Sequence, residues 1–224
     1  MRPYIICHMM ASIDGRIDCA MTEKIGGDEY YEALEQLGCD SELSGRVTMQ
    51  MHYAMPETFV PLSYEVMGEQ SVHKAERQAK GYTVAIDSKG ILKWPCNSFS
   101  GKHLLVITSE LVTNDYLEIL RSQGISWIAI GKDGIDLSKA AEIMYEQFGI
   151  ERLAIVGGGH INGAFLEAGL LDEVSLVLGA GIDGRKGMTA VFDGIENQSF
   201  PTVVLKLDSV QRIGKDSVWI RYSF

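Results

Sequence analysis

Short apolar runs alternate with longer amphipathic stretches along most of the chain. Apolar runs bounded by polar or glycine positions predict buried β-strands, whereas apolar residues spaced three and four apart predict helices. The predicted strands are residues 4–10, 41–44, 82–86, 102–108, 125–130, 153–156, 174–178, 203–207 and 218–222. The predicted helices are residues 28–37, 114–123, 136–148, a segment from Ile161 to Gly169, and a charged stretch near residues 72–80.

The order of these elements indicates the fold class. Strands alternate with helices of about ten or more residues, which favours an α/β fold with a mostly parallel central sheet flanked by helices. No helix is predicted between residues 203–207 and 218–222, so we expect an antiparallel C-terminal hairpin at one edge of the sheet. At 224 residues the chain is most simply a single domain, residues 1–224.

Composition and charge disfavour several classes of partner. The chain has 20 Lys and Arg against 30 Asp and Glu, a formal net charge of −10, which disfavours nucleic acid and anionic membranes as partners. No apolar run approaches the ~20 residues that a membrane-spanning helix needs. The cysteines, at positions 7, 19, 39 and 96, lack the spacing of a zinc site. We therefore expect no metal and a cytoplasmic location.

The most informative segment is residues 153–179, in which an apolar strand leads into Gly157, Gly158 and Gly159, then a helix and a second strand. Glycines let phosphate oxygens reach backbone N–H groups, and a helix N-terminus supplies unpaired donors and about half a positive charge. The alternative is a tight turn that binds nothing. Because consecutive glycines cost backbone entropy, we expect an anionic ligand here. The common dinucleotide fingerprint is not met, since its third glycine would fall at Asn162.

Three fragments together resemble the riboflavin-biosynthesis pyrimidine reductases, which have the dihydrofolate-reductase-like fold. They are MASIDGRI at residues 10–17, SGRVTM at residues 44–49 and VGGGHINGAFLEAGLLDEVSL at residues 156–176. The first resembles the family's Ser-x-Asp-Gly-Lys/Arg signature, the second its Gly-Arg-x-Thr turn, and the third its glycine turn and following helix. Val156 stands where many members have Glu. The family is commonly dimeric, so the resemblance also implies a homodimer.

The resemblance implies an NADPH-dependent reductase and suggests which residues contact the cofactor. Those expected at the pyrophosphate are Gly157, Gly158, Gly159, Ile161 and Asn162. Those expected at the adenosine are Gly45, Arg46 and Thr48, with Ser88 and Lys89 at the 2′-phosphate. Arg46 and Lys89 supply the local positive charge that phosphate recognition needs. Without the neighbouring glycine turn, each would be an ordinary surface residue.

Asp14 and Arg16 are the predicted catalytic residues. They follow the first strand, and ligands bind at the carboxyl edge of a parallel sheet. The resemblance places the substrate and the nicotinamide there, with Asp14 accepting a hydrogen bond from an amine and Arg16 meeting a phosphate or sugar. The alternative is an Asp-Gly turn that only shapes the loop. His8, on the first strand, is expected to be a core histidine rather than an acid.

The sequence leaves three functions open. The leading hypothesis is reduction of a ribosylaminopyrimidine phosphate, of the 5-amino-6-(5-phosphoribosylamino)uracil type, in riboflavin biosynthesis. The second is a pterin or dihydrofolate reductase of the same fold, for which Asp28, Glu29 and Glu32 offer an acidic group. The third is a nucleotide-binding domain without catalysis.

Cationic side chains are sparse where the resembling family grips a ribosyl phosphate. Family members typically carry arginines on the helix before the Gly-Arg-x-Thr turn and again after that turn. In this chain the helix at residues 28–37 has no Arg or Lys. The nearby cationic candidates are His52, Lys74 and Arg77.

Overall fold

The computed structural model describes residues 1–75 and 79–224. These residues form two compact units, one of residues 1–3 and 40–151 and the other of residues 4–39 and 152–224. The strands are β1 Tyr4–Ala11, β2 Ser41–Gly45, β3 Ser71–His73, β4 Tyr82–Ile86, β5 Ser98–Phe99, β6 Lys102–Thr108, β7 Ser126–Ala129, β8 Arg152–Ile155, β9 Glu173–Leu178, β10 Lys206–Ile213 and β11 Ser217–Ser223. The helices are α1 Cys19–Ile25, α2 Asp28–Gln36, α3 Arg46–His52, α4 Asn114–Ser122, α5 Leu137–Glu146 and α6 Gly159–Glu167.

The unit built around residues 40–151 has strands in the order β2-β4-β6-β7-β3. Strands β2, β4, β6 and β7 are parallel, whereas β3 is antiparallel to β7 and β5 is antiparallel to β6. Its core packs around Leu104, Tyr116 and Trp127, all fully buried. Because β4 and β6 are buried on both faces, their sequences are near-continuous apolar runs rather than alternating patterns.

The other unit, residues 4–39 and 152–224, contains both strands of the C-terminal hairpin. Its strands lie in the order β10-β11-β9-β1-β8. Strands β9, β1 and β8 are parallel, and β11 and β10 are added as an antiparallel pair. Helix α2 packs against β1 and β9, where Leu37, Ile213 and Trp219 join Ile6 and Met10 in a buried cluster. The predicted α/β class, with mostly parallel strands and an antiparallel C-terminal pair, is confirmed.

Three local predictions differ from the structure. The last hairpin begins at Lys206 rather than at residue 203, because the apolar run before it drew the predicted strand too early. Residues 71–73 form β3 and not the start of a charged helix, and residues 76–78 of that stretch lie outside the described residues. Hydrophobic periodicity predicted neither α1 nor α3, since seven residues each are too few to display a helical period.

No helix in the described parts of the chain is long and apolar enough to cross a bilayer. The single reductase domain over residues 1–224 stays a prediction.

Candidate active site

The carboxyl ends of β1, β8 and β9 form one edge of the unit that holds residues 152–224. The parallel register pairs Cys7 with Ile155 and Ala11 with Leu178, so the loops that follow these three strands leave the sheet on the same side. They are the loop with Asp14 and Arg16, the glycine turn, and the segment after β9. This edge is where a parallel sheet presents its ligand site.

The glycine turn lies where the sequence predicts it, between β8 and α6. Gly157 has φ of +135°, a backbone conformation suited to glycine, and the peptide bond between Gly157 and Gly158 is cis. Gly158 is the N-cap of α6, and its carbonyl accepts the N–H groups of Ile161 and Asn162 at 3.0 and 3.1 Å. The N–H groups of Gly159 and His160, the first two residues of α6, have no partner within the helix, so they suit an anion.

Gly159 has a different role from its two neighbours. A Cβ atom at Gly159 would collide with the carbonyl oxygen of Ala190, and one at Gly163, a turn later, with the carbonyl oxygen of Asp193. These two glycines let residues 188–193, which we term the strap, lie directly on α6. The requirement for glycine at position 159 is therefore one of close packing.

Asn162 is fully buried and contacts the strap. Its amide Nδ2 donates to the carbonyl oxygen of Val191 at 2.6 Å, and its Oδ1 is buried without a hydrogen-bond partner among the described residues. The strap also reaches Gly159, whose carbonyl accepts the N–H of Asp193 at 3.1 Å. Ile161 and Asn162 thus lie in the first turn of α6, and the side-chain amide of Asn162 is hydrogen-bonded to the strap.

The carboxylate of Asp14 binds protein groups on three sides. Ser12 Oγ donates to it at 2.6 Å, and the backbone N–H groups of Asp183 and Gly184 donate at 2.9 Å each. These hydrogen bonds to the charged form hold the pKa of Asp14 well below its ordinary value, with Ser12 as the largest cause. The contacts favour the alternative in which Asp14 shapes the loop by joining it to the segment after β9.

Arg16 is half-buried and lies against the strap. Its Nη1 donates to the carbonyl oxygen of Met188 at 2.7 Å, and its Nε is buried without a hydrogen-bond partner among the described residues. Because a guanidinium has five N–H donors, Arg16 retains donors for a ligand. The structure therefore brings Arg16, Asp14, the strap and the first turn of α6 together at one edge.

His8 is fully buried and is not placed to act as an acid. Its Nδ1 is 2.9 Å from Ser175 Oγ and its Nε2 is 3.0 Å from the carbonyl oxygen of Tyr30, on whose ring it stacks. Trp219 Nε1 donates to the same Ser175 hydroxyl at 2.7 Å. Burial lowers the pKa of His8 to about 4, so the ring is neutral at pH 7. The prediction of a core histidine agrees with these contacts.

The other unit presents its own carboxyl edge at the ends of β2, β4, β6 and β7. Gly45 is the N-cap of α3, and Arg46 is exposed in the first turn of that helix with Thr48 half-buried beside it. Ser88 and Lys89 are exposed in the turn after β4. In the parallel register Gly45 pairs with Ile86, so both turns leave this sheet on the same side.

Asp87 builds the turn that presents Ser88 and Lys89. Its buried Oδ2 accepts the N–H groups of Ile91 and Leu92 at 2.8 Å each and the hydroxyl of Tyr116 at 3.0 Å. Burial raises the pKa of Asp87 above its ordinary value, and these hydrogen bonds partly offset that rise. The sequence indicated a strand end at Asp87 but not this buried role.

Two neighbouring loops on the same edge were not predicted. Ser109 Oγ donates to the carbonyl oxygen of Ser88 at 2.9 Å, and the buried Glu110 carboxylate accepts the N–H of Gly131 at 3.1 Å. In the sequence, these contacts could have been suspected only from the polar pair Ser109–Glu110 directly after the apolar strand β6. These contacts connect the loops after β4, β6 and β7.

Two of the proposed cationic candidates can be placed. Lys74 Nζ donates to the carbonyl oxygen of Gln147 at 2.8 Å and lies over the ring of Phe148. Its ammonium group therefore binds protein groups near the end of α5. His52 is in the last turn of α3, and Arg77 lies outside the described residues. Within residues 1–75 and 79–224, no group of three or more His, Cys, Asp or Glu side chains is arranged to hold a metal ion.

Two relatives match nearly the whole chain. The 2,5-diamino-6-ribosylamino-4(3H)-pyrimidinone 5′-phosphate reductase of Methanothermobacter thermautotrophicus is 26% identical over 223 residues, 97% of each chain. The Archaeoglobus fulgidus protein of the same name is 22% identical over 219 residues, 96% of this chain and 95% of the relative.

Solved structures agree in fold. A pyrimidine reductase-like protein from Corynebacterium diphtheriae has a TM-score of 0.74 at 18% identity, covering 99% of this chain and 91% of that one. The riboflavin biosynthesis reductase Rib7 of Saccharomyces cerevisiae has a TM-score of 0.61 at 16% identity, covering 99% and 90%. The family described as the RibD C-terminal domain matches residues 3–219. The resemblance drawn from the three sequence fragments is thereby confirmed, and the chain belongs to the RibD C-terminal domain family.

Proposed function

We propose that this chain is a single-domain, NADPH-dependent reductase of a ribosylaminopyrimidine phosphate in riboflavin biosynthesis. The observation that carries the proposal is coverage: relatives named as reductases of 2,5-diamino-6-ribosylamino-4(3H)-pyrimidinone 5′-phosphate match 96–97% of the chain. The geometry agrees, since a Gly-rich turn, a helix start and Arg16 share one sheet edge. The ribosylaminouracil phosphate predicted from the sequence is the second candidate substrate.

The residues present suit a dinucleotide with a pyrophosphate. Gly157 and Gly158 have no side chains, and the N–H groups of the next two residues, Gly159 and His160, begin α6 without a partner inside the helix. Each donor can meet a phosphate oxygen without a counter-charge from a side chain. When bound, the nicotinamide cofactor supplies the hydride. The protein's part is to orient both partners and exclude water, so no nucleophile–base pair is needed.

Ser88 and Lys89 are proposed to recognise the 2′-phosphate. Lys89→Ala should weaken NADPH binding by roughly 1.5–3 kcal/mol, the range for hydrogen bonds to charged groups, and leave NADH binding nearly unchanged. Titration of both cofactors measures the difference. Lys93→Ala is the matched control, since Lys93 is an exposed lysine just beyond the same turn. Equal affinity of the unmodified protein for NADPH and NADH would remove this assignment.

Arg16 is proposed to meet the substrate, because its Nε has no partner among the described residues. Arg16→Ala should lower kcat/KM by tenfold or more, as expected for loss of a charge-assisted hydrogen bond of roughly 1.5–3 kcal/mol, while NADPH affinity stays constant. Lys24→Ala, an exposed cation on α1, is the charge-matched control. Unchanged steady-state kinetics in Arg16→Ala would exclude it from the site.

Asp14 has less freedom to touch substrate, because its oxygens already accept three hydrogen bonds. Its proposed contribution is to hold the loop that carries Arg16. The catalytic role predicted for it from the resemblance stays a prediction.

A screen of NADPH oxidation separates the candidate functions. The panel contains the diaminopyrimidinone ribosyl phosphate, the aminouracil ribosyl phosphate, the dephosphorylated form of each, and dihydrofolate. Turnover of either ribosyl phosphate supports the proposal, and a loss of kcat/KM on dephosphorylation shows that the phosphate is bound. Turnover of dihydrofolate alone would favour the pterin reductase. NADPH binding without turnover of any member would favour a nucleotide-binding domain.

We propose a homodimer formed through the C-terminal hairpin. Strand β10 ends the sheet order of its unit, and its residues Leu207 and Val210 are exposed, as is Val204 just before it. An exposed edge strand with apolar side chains invites pairing. Light scattering at micromolar concentration should give the mass of two chains, and Val210→Glu should give the mass of one. A monomeric mass for the unmodified protein would contradict the proposal.

A further inference from the structure

We infer that Asn162 is a positioning residue, which holds Arg16 in place through the strap. The strap, residues 188–193, contacts the loop that carries Arg16 with one set of groups and α6 with another. Val191 belongs to both sets, since its N–H donates to the carbonyl oxygen of Gly15 at 3.1 Å and its carbonyl accepts Asn162 Nδ2 at 2.6 Å.

The contacts on the loop side are local and specific. Arg16 forms an antiparallel bridge with Ala190, and the N–H of Ile17 donates to the carbonyl oxygen of Thr189 at 3.2 Å. The guanidinium of Arg16 donates to the carbonyl oxygen of Met188. The backbone and the side chain of Arg16 are therefore both set by the position of the strap.

The contacts on the helix side are buried and sterically close. Asn162 is fully buried, and Gly159 and Gly163 provide the space in which the strap backbone lies. Removing the amide of Asn162 leaves the buried carbonyl of Val191 without this donor, and an unsatisfied buried acceptor is unfavourable. The strap would then move away from α6, and the loop that it holds would become less ordered.

This inference differs from the assignment of Asn162 to the cofactor. A cofactor ligand would affect NADPH affinity directly. A positioning residue would affect the step that depends on Arg16, and its effect would vanish once Arg16 is removed. The kinetic consequence rests on the proposed function, whereas the structural consequence does not.

The first experiment measures amide hydrogen exchange in Asn162→Ala, with no substrate or cofactor. We expect the N–H groups of Ile17 and Val191 to exchange about five- to tenfold faster, from the typical strength of a buried hydrogen bond. Amides of β9 and β11 should keep their rates. Ser175→Ala is the matched control, because it removes a buried hydrogen-bonding group of the same unit whose partners are His8 and Trp219. If Asn162→Ala does not fold, Asn162→Ser is used, since it leaves a smaller cavity.

The second experiment is a double-mutant cycle between Asn162→Ala and Arg16→Ala. We expect Asn162→Ala to lower kcat/KM about five- to tenfold in the unmodified protein and to have no further effect in Arg16→Ala, while the Kd for NADPH stays constant. Unchanged exchange at Ile17 and Val191 would overturn the inference whether or not a substrate is found. So would additive kinetic effects, or weaker NADPH binding as the main change.

Discussion

Replacing Gly158 with valine should abolish NADPH binding and leave the protein folded. Gly158 has φ of −103° and ψ of −173°, an extended conformation open to any residue. A branched Cβ would occupy the space in which phosphate oxygens are proposed to meet the N–H groups at the start of α6. Cofactor titration and thermal unfolding together measure the two outcomes, and we expect no detectable binding with a nearly unchanged melting temperature.

Gly159→Val provides the contrasting variant. Its Cβ would meet the backbone of the strap at Ala190, so this change should destabilise the fold, with overpacking of this kind costing typically 1–3 kcal/mol and occasionally more. The pair separates a glycine needed for a ligand from a glycine needed for packing. Tight NADPH binding by a normally folded Gly158→Val would make the turn purely structural and would remove the main support for the cofactor site.

The stability of the protein should fall by about 2 kcal/mol between pH 7 and pH 5 because of His8. Below its ordinary pKa of 6.5 the unfolded chain takes up a proton at this histidine, whereas the folded protein does so only near its lowered pKa of about 4. Between these values the unfolded state binds more protons, so acidification favours unfolding. The stabilisation is fully present above pH 6.5 and is lost as the pH falls toward 4.

The physical cause of the His8 shift is burial without a counter-charge in direct contact. Its two ring nitrogens meet the hydroxyl of Ser175 and the carbonyl oxygen of Tyr30. A carbonyl needs a donor, so Nε2 carries the hydrogen and Nδ1 accepts from Ser175. A second proton on the ring would sit on Nδ1, where it would replace the hydrogen bond that Ser175 donates. The charged imidazolium would then be buried away from water.

Urea unfolding at several pH values between 5 and 7 measures the effect. His8→Gln should be less stable at pH 7, because its amide cannot reproduce both contacts, but its stability should change less with pH. A residual slope is expected from His73, whose pKa is lowered by burial and by the charge of Arg121. His160→Gln, at an exposed position, should keep the full dependence. Equal stability of the unmodified protein at pH 5 and pH 7 would contradict the role of His8.

Much of the fold follows from local pattern in the sequence. The apolar runs of β1, β4, β6 and β8 predict buried strands because a strand covered on both faces has no polar side to show. The turn from Gly157 to Gly159 predicts a close approach of backbone because no side chain is present. Both signals lie within a few consecutive residues, and the structure agrees with each.

Sequence patterns did not predict the structure where a segment was short, or where contacts with distant residues decided its conformation or the role of its side chain. Helix α3, of seven residues, shows no period, and in β10 single apolar residues are separated by pairs of polar ones, behind a misleading apolar run. The cation Lys74 was a candidate for phosphate recognition, but it donates to a carbonyl oxygen near the end of α5. Its partner is 73 positions away in the chain, so no local pattern could indicate it.

The sequence alone determined the α/β class, the glycine turn and the family, because each depends on residue types at short spacing. Only the tertiary structure decided how the individual residues are used. Asp14 binds backbone 169 and 170 positions away, and Arg16 binds the strap 172 positions away. In the glycine turn, Gly157 takes a positive φ, Gly158 caps α6, and Gly159 packs against the strap at Ala190. These roles arise from long-range contacts that pack the loop with Asp14 and Arg16, the strap and α6 against one another. The spacing of residues along the chain does not indicate such contacts.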